Sequence, residues 1–226
     1  MDKVVFFDID DTLLDTSSFA VMARKAAINL MVDNGLPLEK DEAYDLLKEI
    51  IAEKGSNYGG HFNILTKRVL GHEDPRLISL GMITYHNVKF SLLRPFPKTN
   101  DILIYLKSKG YRLGIISNGI TLKQWEKLIR LNLYPFFDEV ITSEEVGFDK
   151  PSPLIFEEAL KRMQGNPDKC IMKGNKLKED VMGAVNVGMS AILVNSEISP
   201  EDLEKIEKEN LDIKIIENIE KVDTIL

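Results

Sequence analysis

Apolar positions along the chain fall into two kinds of segment. Val4-Val5-Phe6-Phe7 is apolar at every position, β-branched or aromatic, and stops abruptly at Asp8. A run with no polar alternation suits a strand covered on both faces, as in a parallel sheet. Similar runs recur at Arg112–Ile116, Cys170–Met172 and Ala191–Val194, ending at Ser117, Gly174 and Asn195, and a shorter one, Glu139–Ile141, ends at Thr142. Between them the spacing is helical: Leu103 and Leu106 before a stop at Gly110, then Trp125, Leu128 and Ile129, then Phe156, Ala159, Leu160 and Met163, then Val181, Ala184 and Val185. Strand alternating with helix predicts an α/β fold, a doubly wound, Rossmann-like parallel sheet.

Residues 15–94 break the alternation. Four helical segments are expected there, at about Phe19–Asn34, Asp41–Glu53, His61–Leu70 and Pro75–Leu93. Each stops at a glycine or at prolines that cannot continue a helix: Gly35, Gly55, Gly71, then Pro95 and Pro97. The expected organisation is therefore a sheet domain of residues 1–14 and 95–226, interrupted by an all-helical insert of residues 15–94. Ligands of open α/β sheets bind beyond the carboxyl ends of the strands. The strand ends here are polar, so one site is expected there, with the insert as a lid.

Composition narrows the function classes. The net charge of −7 leaves no basic face for a nucleic-acid backbone. A single cysteine, Cys170, excludes an internal disulfide framework and fits a reducing compartment. No basic segment followed by an apolar one opens the chain, and nowhere do 18 apolar residues run together. A soluble, cytoplasmic protein acting on a small molecule is expected, with neither nucleic acid nor membrane as partner.

The chemistry-bearing segment is Asp8-Ile9-Asp10-Asp11-Thr12-Leu13. Two carboxylates at i and i+2, where a buried strand ends, can converge on one small region. One can attack phosphorus, forming an aspartyl-phosphate that divides a slow hydrolysis into two easier steps. The other can protonate the departing oxygen and later take a proton from the attacking water. Like charges this close need a cation or a shared proton, which implies a metal. A bare Asp-x-Asp is more often a helix cap or turn. The preceding apolar strand and the following Thr-Leu favour the catalytic reading.

Residues 5–14, Val-Phe-Phe-Asp-Ile-Asp-Asp-Thr-Leu-Leu, resemble the first motif of the haloacid dehalogenase-like hydrolases. The resemblance continues in order. Ile115-Ile116-Ser117-Asn118-Gly119 is similar to the second motif and Lys150-Pro151-Ser152-Pro153 with Ile155-Phe156 to the third. Gly174-Asn175 through Asp180, with Gly183-Ala184 and Gly188-Met189, is similar to the fourth. The insert matches the C1-type cap of this superfamily. Lys123 to Leu131 resembles an archaeal subgroup associated with glyceraldehyde 3-phosphate phosphatase activity.

The resemblance implies a Mg²⁺-dependent phosphatase of a small phosphorylated metabolite. Asp8 would be nucleophile and metal ligand, and Asp10 the acid and base, its backbone carbonyl also on the metal. Thr12, Ser117 and Asn118, the last through its N–H, would hold phosphoryl oxygens. Lys150 would neutralise charge between phosphate and Asp8. Asp180 would be an outer-shell metal ligand or the partner of Lys150. Two alternatives stand beside this: a 2-haloacid dehalogenase, which Asp10 disfavours because family dehalogenases lack it, and a non-catalytic phosphate-binding protein.

Two residues depart from the family pattern. Asn175 stands where an aspartate usually binds the metal, so one negative charge is missing, although an amide oxygen can still ligate Mg²⁺. Lys173 puts a cation in an otherwise apolar strand, from which it would snorkel outward or alter the local charge. Other features take plain readings. His61, His72 and His86 lack metal-ligand spacing, and Trp125 is expected to pack. Gly59-Gly60-His61 is either an interhelical turn or a loop reaching the site. The run Glu201–Glu209 reads as a solvated helix face.

Overall fold

The computed structural model describes residues 3–194, 198–208 and 213–217, and its chain divides into two compact units, residues 1–15 with 94–226 and residues 16–93. The larger unit is built on β1 (Val4–Phe7). The smaller unit holds α1 (Thr16–Asp33), α2 (Lys40–Lys54), α3 (His61–Leu70) and α4 (Pro75–Leu92). The chain then re-enters the larger unit with α5 (Thr99–Ser108), β2 (Arg112–Ser117), α6 (Thr121–Arg130) and β3 (Glu139–Thr142). Next come α7 (Ser143–Val146), α8 (Pro153–Arg162), β4 (Cys170–Gly174), a π-helical turn at Leu177–Met182 and α9 (Gly183–Val185). The described part closes with β5 (Ser190–Val194), α10 (Pro200–Lys208) and β6 (Lys214–Ile216).

The strands form one sheet in the order β3-β2-β1-β4-β5-β6, every neighbouring pair parallel. β1 is central, which is why Val4 to Phe7 are all buried and why their run shows no polar alternation. Successive side chains point to opposite faces. Val4 and Phe6, with Met172 and Leu193, join Ile155, Phe156 and Ala159 of α8 in one continuous core. Each large side chain fully buried in that layer contributes about 1.5–3 kcal/mol. Cys170 lies in the same core, and burial pushes its thiol up to about 11.

Three strands end where their apolar runs give way: parallel pairing carries β2, β3 and β4 to Ser117, Thr142 and Gly174. The Ile213-Lys214-Ile215-Ile216 run, not singled out in the sequence, supplies β6 at the sheet edge. Asn195 and the Glu209 end of the acidic run lie outside the described residues. No helix of the described residues is long and apolar enough to cross a membrane.

In the smaller unit the four helices bury Ala27, Ile28, Met31, Ala43, Leu47, Ile50, Phe62, Leu65, Leu77 and Ile78. Asp74 starts α4 by accepting from the backbone N–H groups of Arg76 and Leu77, with Pro75 in the first turn. Gly71 ends α3 in the left-handed conformation. α1 and α4 approach closely at Gly81, where a Cβ would stand 2.7 Å from the Met31 sulfur.

Two expectations about side-chain direction fail. On α6, Leu128 is buried, but Trp125 and Ile129 are exposed, and Gln124 and Lys127 turn inward. Lys173 does not snorkel. It is fully buried, and its Nζ makes no hydrogen bond. It lies on the sheet face of its registered neighbours Phe7 and Ile192, 5.5 Å over the Phe7 ring. The face it shares with Phe7 and Ile192 is itself buried, which leaves a four-carbon stem no route to water.

Candidate active site

Strand ends deliver the polar residues to one region of the sheet unit. Asp8 follows β1, and its backbone N–H donates to the carbonyl of Lys173 on β4 at 2.9 Å. Asp10 and Asp11 sit in the tight turn that comes next, where Asp11 takes φ of 55° and its N–H donates to the Leu14 carbonyl at 2.8 Å. A short aspartate tolerates the left-handed conformation better than most side chains. Ser117 ends β2, Lys150 follows α7, and Asp180 lies in the π-helical turn after β4.

Lys150 ties these segments together. Its Nζ donates to Asp8 Oδ1 at 2.8 Å, to Asp180 Oδ1 at 2.6 Å and to the Ile116 carbonyl at 2.8 Å. All three side chains are buried, so these charges interact in a poorly screened setting. Asp8 is pushed up to about 6: burial is the main cause, Lys150 opposes it, and the carboxylates of Asp180 and Asp10 add to it. Burial alone would push the Lys150 ammonium down, but Asp180 and Asp8 more than reverse that and hold it protonated. Asp180 is fixed by a second bond, its Oδ2 accepting from the Lys176 backbone N–H at 3.0 Å.

Asn118 sets the backbone around Lys150. Its Oδ1 accepts from the Lys150 N–H at 2.7 Å and its Nδ2 donates to the Lys150 carbonyl at 3.1 Å. The Gly119 N–H donates to Ser143 Oγ at 2.9 Å, joining the loops that follow β2 and β3. Ser117 and Thr12 are both buried, and the Thr12 hydroxyl makes no hydrogen bond. Structure thus brings Asp8, Lys150 and Asp180 into direct contact and ties Asn118 to the Lys150 main chain. Ser117 stands at the adjoining strand end.

Two residues enter the site that the sequence reading left without a role. Lys127 of α6 donates to both Asp10 oxygens, at 2.6 and 2.7 Å, and Gln124 accepts from the same Nζ at 2.9 Å. The only signal in the sequence is their i, i+3 spacing, which puts both on one face of α6 beside the buried Leu128.

Among the described residues, no group of three or more His, Cys, Asp or Glu side chains is placed to hold a metal by itself. The donors that the motif residues offer are nevertheless all oxygens: the carboxylates of Asp8 and Asp180, the Asp10 carbonyl and the Asn175 amide, whose Oδ1 is buried. Such a hard set suits Mg²⁺, and the repulsion that raises Asp8 is what a divalent cation would relieve.

The profile of the haloacid dehalogenase-like hydrolases matches residues 3–188. The chain belongs to that family, and within it stands with the phosphoric monoester hydrolases. It is 65% identical over 224 residues to a glyceraldehyde 3-phosphate phosphatase of Methanothermobacter thermautotrophicus, covering 99% of each chain. A glyceraldehyde 3-phosphate phosphatase of Methanocaldococcus jannaschii is 48% identical over 194 residues, covering 86% of this chain and 85% of that one. Among solved structures, a HAD phosphatase from Thermococcus onnurineus superposes with a TM-score of 0.69 at 28% identity, covering 99% of this chain and 97% of that one.

Proposed function

We propose that this protein is a Mg²⁺-dependent phosphatase that hydrolyses glyceraldehyde 3-phosphate through an aspartyl-phosphate on Asp8. The observation that carries the mechanism is the buried Asp8–Lys150–Asp180 cluster with a second carboxylate, Asp10, two residues away. The substrate rests on the similarity to the phosphatases named above.

Asp8 attacks phosphorus, the bond to the leaving oxygen breaks, and Asp10 gives that oxygen its proton. Water then attacks the aspartyl-phosphate and passes a proton to Asp10, releasing phosphate and restoring both carboxyl groups. Lys150 holds Asp8 in position and offsets the charge of the arriving phosphoryl group. Ser117 and the N–H of Asn118 receive phosphoryl oxygens, the Asn118 side chain being occupied with Lys150. Thr12, buried within the turn after β1, offers its hydroxyl to the same oxygens. Mg²⁺ bound by Asp8, the Asp10 carbonyl, Asn175 and, through its outer shell, Asp180 would supply further neutralisation of the transferring group.

The test is phosphate release from glyceraldehyde 3-phosphate and a panel of sugar phosphates and phosphoglycolate, with and without Mg²⁺. Turnover of glyceraldehyde 3-phosphate that needs Mg²⁺ and disappears in Asp8→Asn is expected. Unchanged release by Asp8→Asn, or chloride release from 2-haloacids without Mg²⁺, would overturn the proposal.

A further inference from the structure

The geometry points to Lys127, braced by Gln124, as a positioning residue that holds the Asp10 carboxyl in line for proton transfer to the leaving oxygen. This rests on the phosphatase reading and goes beyond it by giving the proton shuttle a dedicated support.

Lys127 lies on α6, 117 residues from Asp10 in sequence, yet its Nζ sits 2.6 and 2.7 Å from the two Asp10 oxygens. Its side chain is only 9% exposed, whereas that of Asp10 is 31% exposed. So Asp10 retains an accessible side, while its cation is almost enclosed. An ammonium that engages both oxygens restricts rotation of the carboxyl about its terminal bond. Either protonation state of Asp10 leaves an oxygen able to accept from it. Gln124 is 2% exposed and completes the brace. Its Oε1 accepts from Lys127 Nζ at 2.9 Å, and its Nε2 donates to the Asn118 carbonyl at 2.9 Å.

Asn118 in turn binds the Lys150 main chain, and Lys150 Nζ binds Asp8. A hydrogen-bonded path therefore runs from the nucleophile to the acid through Lys150, Asn118, Gln124 and Lys127. A solvated lysine on a helix face would need none of this. The inward turn of Gln124 and Lys127, with Leu122 and Ile129 of the same helix left exposed, is what a supporting role requires.

Proton donation matters most when the leaving oxygen is a poor leaving group. For an alkyl ester, Asp8 forms its bond to phosphorus while the P–O bond breaks and Asp10 protonates the departing alkoxide. A p-nitrophenolate can depart without that proton. The experiment compares kcat/KM of the wild type, Lys127→Met, Lys127→Arg and Gln124→Leu on glyceraldehyde 3-phosphate and on p-nitrophenyl phosphate. Lys127→Met should lose about 10²-fold or more on the alkyl ester and less than roughly tenfold on the aryl ester. Lys127→Arg should recover most of the loss, and Gln124→Leu should show the same bias in weaker form. Equal losses on both esters, or none, would overturn the assignment, because a merely structural or phosphate-binding role would not separate them. Should Lys127→Met fail to fold, Gln124→Leu decides by the same comparison. A wild type that released phosphate from neither ester would overturn the phosphatase reading, and this one with it.

Discussion

Lys173 offers a quantitative check on the electrostatics of the sheet. It is fully buried and its Nζ makes no hydrogen bond, so desolvation lowers the ammonium to about 7 from the ordinary 10.5. The gap between those two values corresponds to roughly 5 kcal/mol of lost stability at pH values below the folded one. The ammonium lies over the Phe7 ring, which returns about 2 kcal/mol in a desolvated setting. A net penalty of about 3 kcal/mol remains. Lys173→Met keeps the unbranched shape and removes the charge.

The variant should therefore be more stable than the wild type near pH 7 by about 3 kcal/mol, a rise in Tm of roughly 6–12 °C for a chain of this size. Between the folded value, which the ring contact lifts above 7, and 10.5 the unfolded lysine holds a proton that the folded one has released, so wild-type stability from this group rises with pH across that window. The gap between the two proteins should close as pH approaches 10.5. Urea unfolding of both proteins in EDTA, from pH 6.5 to 10.5, measures it. A Lys173→Met protein less stable than wild type at pH 7, or a gap independent of pH, would refute the reasoning.

Two further expectations concern the site. Gly174 has no room for a side chain, since an added methyl would overlap Asp180. Gly174→Ala should therefore displace Asp180 from Lys150 and lower kcat by about 10²-fold. Steady-state phosphate release at wild-type rate would count against that. Asn175→Asp should lower the Mg²⁺ concentration for half-maximal phosphate release by roughly tenfold, because ligand charge sets cation affinity. It should also make the metal-free protein less stable, because a buried amide oxygen becomes a buried charge. Metal titration and melts in EDTA read the two effects.

Much of the architecture was legible from pattern alone. The unbroken apolar run of Val4 to Phe7 specifies a central parallel strand, because only a strand buried on both faces needs no polar positions. The Gly and Pro stops between residues 35 and 97 mark the helical insert, because those residues interrupt backbone hydrogen bonding wherever they fall. Asp8, Asp10 and Ser117 were likewise visible as polar residues at strand ends, whereas Lys150 and Asp180 were expected only through the family resemblance. Tertiary structure decided the rest. Which residues face inward on α6 depends on what the helix packs against, and an apolar pattern alone pointed Trp125 and Ile129 the wrong way. Lys127 reaches Asp10 only because β2 pairs with β1 and carries α6 back beside the turn after Asp8. Lys173 is trapped because the sheet face it shares with Phe7 and Ile192 is covered, a matter of packing that no local window contains. Local chemistry is written along the chain. Burial and partnership belong to segments far apart in sequence, and folding alone brings those together.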